Sequence, residues 1–229
     1  MEQGSLVWIR NSVAYYWQLI DPARDSYQLG DNVTPAHGNI MVVFQGKKMR
    51  GAEAKVSKVK IIGKQAVLKS RIPKNYRVKE LDKRLRIERT RNEARLLNKA
   101  KLAGINCPTV LQVDEFGIGM SFIDGQRPKM DKKEAKEAGI LLAKLHSADI
   151  IHGDYTPANL INNSGVLYII DFGLGFISND IEDKAVDVFT MLRSIEQKSA
   201  FMEGYEKYEK AKQVFDRVKD VEKRVRYAI

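Results

Sequence analysis

The stretch from Ile151 to Gly173, "IHGDYTPANLINNSGVLYIIDFG", limits the fold more than any other part of the chain. His152, Asp154 and Asn159 lie in a polar, turn-rich segment. Asp171 closes the apolar run "GVLYIID" and opens on Phe172-Gly173. A short apolar run bounded by turn residues reads as a buried strand. The chain must therefore hold two aspartates and an asparagine at the ends of short elements. Turn chemistry alone can account for Gly, Asp, Asn and Pro in such a place. The remaining sequence separates a plain turn from a site.

Strands are predicted at Ala54–Ile62 and Gln65–Ser70, with Gly63-Lys64 as their turn. A long helix is predicted from Glu80 to Ala103, with Leu81, Leu85, Ala94, Leu97 and Ala100 along one side and Gly104 as its stop. "TVLQVDEF" and "IGMSFID" form a second strand pair around Gly117. A helix follows over Lys132–Ala148, with Leu141, Leu142 and Leu145 inward. Helices fill the remainder, ending in a core stripe of Tyr205, Tyr208, Val214, Val218, Val221 and Val225. Residues 1–50 read as β-like at "SLVWIR", "SYQL" and "NIMVVFQ" and contain no chemical motif.

The chain has 229 residues, 44% hydrophobic and 30% charged, which suits one soluble domain or two small lobes. Cys107 is the single cysteine, so intramolecular disulfides and multi-cysteine metal sites are excluded. It is expected to be a buried small residue rather than a nucleophile. No run reaches the ~18 apolar residues of a membrane span. A cytoplasmic protein without a membrane partner is expected. The net charge of +10 is unevenly spread: residues 51–110 carry 17 Lys or Arg against 5 Asp or Glu, and residues 111–200 carry 9 against 14. That imbalance fits either a solvated lysine-rich face or a polyanion partner.

Four elements line up that supply the kinds of group phosphoryl transfer needs. Lys69 ends the strand "QAVLK", where it can hold the α/β-phosphates of ATP. Glu93 lies in the following helix and can position Lys69. Asp154 can face the attacking hydroxyl or water, and Asn159 with Asp171 can hold Mg²⁺. Little covalent chemistry is then asked of the protein; position and charge supply most of the catalysis. Taken singly, each residue has an ordinary structural explanation, such as a surface lysine or a helix Glu paired with Arg89 or Arg95.

Departures from the common protein-kinase pattern are informative. "RGAEAKV" offers Gly51, Ala52, Glu53 and Ala54 as a phosphate-facing segment with one glycine, hence a less enclosing cover. Gly153 stands where many protein kinases carry Arg, which argues against a phosphorylated activation loop. No Ala-Pro-Glu follows Gly173, so the usual peptide-docking platform is expected to be missing. Asp187, in "KAVDVFTML", resembles the buried aspartate that anchors the kinase catalytic loop, with His152 as further support of the site.

The segments "GAEAKV", "RTRNEARLLNKAKLAGINCPTV", "HGDYTPAN", "IIDFGLGF" and "EDKAVDVFTML" resemble the small atypical kinase subunit of the KEOPS complex, the PRPK family, over about Met49–Ile195. The resemblance implies an α+β fold: a reduced two-lobed protein-kinase-like architecture with a small β-rich N-terminal lobe and a mostly helical C-terminal lobe. Lobes are expected at 51–125 and 126–229, behind an N-terminal extension over 1–50 that could be a fusion remnant or linker, a separate decoration, or upstream sequence ahead of a start at Met41 or Met49. It also implies ATP- and Mg-dependent serine/threonine phosphorylation or ATP hydrolysis, with a threonylcarbamoyl transferase and other KEOPS subunits as partners, in making threonylcarbamoyladenosine in tRNA. Arg71, Lys74, Arg77, Lys79, Lys83, Arg84 and Arg86 are then candidate tRNA contacts, together with Arg224 and Arg226 in a basic tail. A RIO-like or small-molecule phosphotransferase is the alternative enzyme, because it also uses His-Gly-Asp and a later Ile-Asp. A nonenzymatic RNA-binding scaffold on a kinase fold is the alternative of another class.

Overall fold

The computed structural model describes residues 6–9, 40–50 and 54–227, with side chains over 54–224. In chain order the elements are β1 (Leu6–Ile9), β2 (Ile40–Arg50), β3 (Ala54–Ile61), β4 (Lys64–Arg71), α1 (Lys79–Leu102), β5 (Val110–Val113), β6 (Gly117–Ser121), α2 (Lys132–Ser147), β7 (Ile150–Ile151), β8 (Leu160–Asn163), β9 (Val166–Ile169), β10 (Phe176–Ile177), α3 (Ile181–Leu192), α4 (Lys198–Tyr205) and α5 (Ala211–Tyr227). This is the α+β architecture expected, rich in strands first and in helices later. "SYQL" lies outside the described residues.

The elements fall into two units. The first holds residues up to Thr90 together with Val110–Phe122. Its sheet runs β1-β2-β3-β4-β6-β5, antiparallel throughout. The strand Ile40–Arg50 is therefore an integral part of this sheet. The tight turn between β3 and β4 is Ile62-Gly63 rather than Gly63-Lys64. Both residues have positive φ, 50° and 71°, as a two-residue hairpin turn of the primed type demands, and Lys64 pairs with Ile61. Alternation along β3 buries Ser57, Val59 and Ile61 and exposes Lys58 and Lys60. β4 buries Ala66 and Leu68 on that face and Lys69 and Arg71 on the other.

α1 contributes to the first unit up to Thr90 and to the second from Arg91. Its buried positions are Asp82, Thr90, Glu93, Leu96, Leu97 and Ala100. Leu81, predicted inward, is 40% exposed. The inward face of its N-terminal half is polar, so an apolar period misplaces it.

The second unit contains Arg91–Thr109 and everything from Ile123. α2 buries Leu141, Leu142 and Leu145 as predicted and packs closely on α4. Gly139 and Gly204 permit that approach. A Cβ on Gly139 would come within 2.1 Å of the Phe201 carbonyl oxygen, and one on Gly204 within 2.0 Å of the Lys136 carbonyl oxygen. Tyr205, Tyr208, Val214, Val218 and Val221 are buried. Val225 lies beyond the described side chains. Cys107 is buried, with Sγ 3.6 Å from the Leu97 carbonyl, and burial raises its thiol pKa to about 11. No described helix is long and apolar enough to cross a membrane.

Candidate active site

The polar stretch is framed in the second unit by two short antiparallel strand pairs, the hairpin β8–β9 and the pair β7–β10 that encloses it. β8 and β9 pair with Leu160 opposite Ile169, so the residues just outside the hairpin, Asn159 and Ile170, also meet. The Ile170 N–H donates to the Asn159 carbonyl at 2.9 Å. β10 pairs with β7 through Phe176–Ile151 and Ile177–Ile150, returning the segment after Asp171 to the strand that precedes His152. Asp154 and Asp171, seventeen residues apart, thus flank the paired strands β8 and β9.

Within it, Asp154 and Asp171 are exposed, while His152 and Phe172 are buried. His152 Nε2 lies 3.1 Å from the Ile170 carbonyl, which can only accept, so Nε2 carries the hydrogen. Nδ1 accepts the Asp154 N–H at 3.3 Å. One imidazole therefore spaces the Asp154 backbone from the strand that leads to Asp171. The Asn159 side-chain amide donates to both the carbonyl (2.8 Å) and the carboxylate Oδ2 (2.9 Å) of Asp154. With its nitrogen so used, the oxygen Oδ1 is the group that a cation would take. Asp171 sits at φ 62°, a left-handed conformation that Asp tolerates better than most residues, and its Oδ1 accepts the Gly173 N–H at 3.1 Å.

Asp187, on α3 and 1% exposed, accepts the His152 N–H at 2.6 Å and the Gly153 N–H at 2.8 Å. Its Oδ2 lies 3.4 Å from His146 Nε2, and His146 Nδ1 lies 2.6 Å from the Tyr205 hydroxyl. Burial is the largest influence on His146 and holds its pKa below the ordinary 6.5. The Asp187 hydrogen bond and charge oppose that shift, and Lys184 and His152 reinforce it. A neutral ring satisfies both neighbours: Nε2–H donates to Asp187 and Nδ1 accepts from Tyr205. Burial likewise raises the Tyr205 hydroxyl pKa, keeping it a donor. Sequence reading missed His146 and Tyr205 as parts of this network. The available signal was a histidine at a buried position among Leu141, Leu142 and Leu145, where an imidazole needs partners on both sides.

The folded-state pKa of His146 lies below its unfolded value, so the unfolded chain binds the proton more readily. Stability is then fully present above pH 6.5 and falls as pH drops from there toward the folded pKa. Asp82 and Asp149 have depressed pKa values, so their losses come below 3.8, outside this window. Urea midpoints are expected to decline between pH 6.5 and 4.5 in the wild type and more shallowly in His146→Gln. Equal slopes would remove His146 from the acid response.

Gly153 has φ 79°, and a Cβ there would meet the Leu174 carbonyl oxygen at 2.5 Å. The absence of Arg at this position thus has a local steric cause in addition to any regulatory one.

The other sequence candidates are placed as follows. Lys69 on β4 and Glu93 on α1 are both buried, each in its own unit. Ala54 begins β3, pairs with Arg71 and is buried; Gly51, Ala52 and Glu53 lie outside the described residues. The basic set divides. Arg71 is 6% exposed, with its guanidinium on the Arg89 carbonyl, and burial withdraws it as a tRNA contact. Arg77 and Arg86 are directed to the buried carboxylate of Asp82, at 3.9 and 2.7 Å, and Arg86 also lies 4.0 Å over the Phe116 ring. These two stabilise the start of α1. The Lys74 backbone N–H donates to the same carboxylate. Lys79, Lys83 and Arg84 are exposed, Arg84 beside Glu88 at 3.8 Å. Arg224 pairs with Glu182 on α3, which also takes Arg217. The side chain of Arg226 lies outside those described.

The described residues contain no group of three His, Cys, Asp or Glu able to hold a metal. Asn159 and Asp171 offer one carbonyl and one carboxylate oxygen. That donor set fits Mg²⁺, which commonly takes one or two protein oxygens and completes its octahedron with nucleotide phosphates and water.

A model of the RIO domain matches residues 42–190. The chain is 43% identical over 187 residues to a probable serine/threonine-protein kinase Bud32 homolog of Archaeoglobus fulgidus, covering 77% of this chain and 94% of that protein. It is 36% identical to a probable bifunctional tRNA threonylcarbamoyladenosine biosynthesis protein of Methanocorpusculum labreanum, over 99% of this chain but 44% of that one. Among solved structures, the ADP/Mg²⁺-phosphoaspartate complex of the Rio2 kinase from Chaetomium thermophilum is similar in fold. Its TM-score is 0.57 at 18% identity, over 80% of this chain and 70% of that one.

Proposed function

Given that the chain belongs to the Bud32 family of RIO-domain atypical serine/threonine kinases, we propose that it uses Mg-ATP to act as a KEOPS subunit in the threonylcarbamoyladenosine modification of tRNA. The kinase-like α+β fold and the phosphotransferase class follow from that membership. The RIO-like reading, held apart as an alternative from sequence, merges with the leading one, since the RIO model spans the catalytic segments of a Bud32 relative. The observation that carries the reading is the pair of backbone hydrogen bonds by which Asp187 fixes His152 and Gly153, directly before the exposed carboxylate of Asp154. A catalytic group held through its own backbone costs little reorganisation when the acceptor arrives.

In this proposal Asp154 orients or deprotonates the acceptor hydroxyl or water. Asn159, through Oδ1, and Asp171 hold Mg²⁺, which when bound neutralises charge on the phosphates. Lys69 steadies the α/β-phosphates, Glu93 steadies Lys69, and the segment Gly51–Ala54 covers the nucleotide. We assign 51–125 to the small lobe and 126–229 to the helical lobe. Residues 1–50 supply β1 and β2 to the sheet of the small lobe; the alignment of nearly the whole chain to a bifunctional relative supports reading the rest of them as the join of a fusion. The threonylcarbamoyl transferase, the remaining KEOPS subunits and tRNA are the proposed partners, in the cytoplasm.

The test is ATP turnover by the chain alone, with the transferase, and with transferase plus tRNA. Stimulation by the full mixture is expected. Turnover absent in every combination would leave the scaffold reading instead.

Lys79, Lys83 and Arg84 are the exposed members of the proposed tRNA contacts, with Lys74, Arg77 and Arg86 partly exposed beside them and Arg224 and Arg226 in the tail. Reversing Lys83 and Arg84 together should flatten the slope of log K for tRNA against log salt by about one to two units. An unchanged slope with lost binding to the transferase would assign this face to protein instead.

A further inference from the structure

The segment from Asp171 to Ser178 is pinned at several points, and one of them comes from α1. The Asn92 amide nitrogen donates to the Gly175 carbonyl at 2.8 Å. Its orientation is set by charge: Asn92 Oδ1 accepts from the Arg95 guanidinium at 3.2 Å, which leaves Nδ2 for Gly175. Gly175 is buried and has no room for a side chain. A Cβ there would stand 2.9 Å from both Leu96 Cδ1 and the Ile151 carbonyl oxygen. The Gly175 N–H closes a turn onto the Phe172 carbonyl at 3.0 Å, and the Ser178 N–H reaches the Asp149 carbonyl at 3.0 Å. All of these residues belong to the second unit.

We propose that Asn92 is a positioning residue for the reaction: through the Gly175 carbonyl it holds the metal-bearing segment in register with the helix that carries Glu93. Asn92 and Glu93 are consecutive on α1, so one turn of helix serves both the phosphate side and the metal side of the chemistry. Asp171 at φ 62° occupies a conformation that persists only where its surroundings over-determine it. The Asn92 bond is one such constraint, and losing it leaves a buried carbonyl without its donor. The two peculiar motifs of this sequence, "RTRNEARLL" and "DFGLGF", thereby become the two sides of one contact.

This proposal rests on the reading of Asp171 as a Mg²⁺ ligand, and its test separates the two. Amide exchange at Gly173, Gly175 and Ser178 is measured without nucleotide, and Mg²⁺ dependence of ATP turnover is measured in the complete mixture. The variants are Asn92→Asp, Asn92→Ala and Asn92→His, the last retaining a donor at the same reach. Asn92→Asp is expected to speed exchange at the three amides and to raise half-saturating Mg²⁺ by about tenfold. Its kcat at saturating Mg²⁺ should change less, and Asn92→His should restore much of the Mg²⁺ affinity. Unchanged exchange in Asn92→Asp and Asn92→Ala overturns the proposal. So does faster exchange with unaltered half-saturating Mg²⁺, or a loss of Mg²⁺ affinity that merely tracks the melting temperature. Wild-type protein without any Mg²⁺-dependent turnover would sink the metal reading, while the exchange data would still decide whether Asn92 holds the segment.

Discussion

Asp154→Asn is expected to lower ATP turnover by roughly 10²–10⁴ while leaving nucleotide affinity within about threefold, the size of effect lost with a positioned general base. The Asn variant is preferable to Ala because its side-chain oxygen can still accept from Asn159, as Oδ2 of Asp154 does at 2.9 Å. The loop then keeps its shape, and the measured loss belongs to the carboxylate. Asp171→Asn provides the contrast. Asn tolerates the left-handed backbone and can still accept from Gly173, so its main defect should be weaker Mg²⁺ binding, visible as a higher Mg²⁺ requirement. Single-turnover kinetics and equilibrium nucleotide binding together resolve the two. Near-normal turnover by Asp154→Asn in the complete mixture would mean that the acceptor is activated elsewhere.

Asp187→Ala should be the most destabilising single change in the site. It removes the acceptor of two backbone amides and of His146; the contacts to His152 and His146 are buried and that to Gly153 partly so. Removing one partner of a buried charged network costs about 3–5 kcal/mol. For a chain of this size that corresponds to a melting temperature lower by roughly 6–20 °C. Asp187→Asn should fall between, since its oxygen can serve one amide while its nitrogen confronts the other. Denaturant midpoints and turnover are read in parallel; a melting point within about two degrees of wild type would show that the loop is held by other bonds.

Sequence and structure agree best where chemistry is concentrated in short, contiguous stretches. Asp154, Asn159 and Asp171 were legible because they flank one local hairpin, β8–β9, whose pairing is written in nearby residues. α2 was legible because its core face is mostly Leu and Ala, with His146 and Gly139 among them. The N-terminal half of α1 was not, because it buries Asp82 and Thr90, and no hydrophobic period marks a polar inner face. The same blindness affected the basic stretch. Counting charges cannot distinguish Lys83, which is exposed, from Arg86, which is committed to Asp82. The His146–Tyr205 support was hidden for a different reason. Its partners come from α2 and α4, far apart in the chain, and are joined by helix packing that one sequence does not reveal.

That packing bears on how such a chain can change over generations. Gly139 faces the backbone of α4 and Gly204 faces the backbone of α2, and each would collide if given even a methyl group. Neither position can drift first and wait for the other to compensate, because the obstruction is main chain on both sides. The pair therefore works as a fingerprint of the helical half that is independent of catalysis. A descendant that had lost Asp154 or Asp171 would still have to carry both glycines to keep α2 and α4 at this spacing.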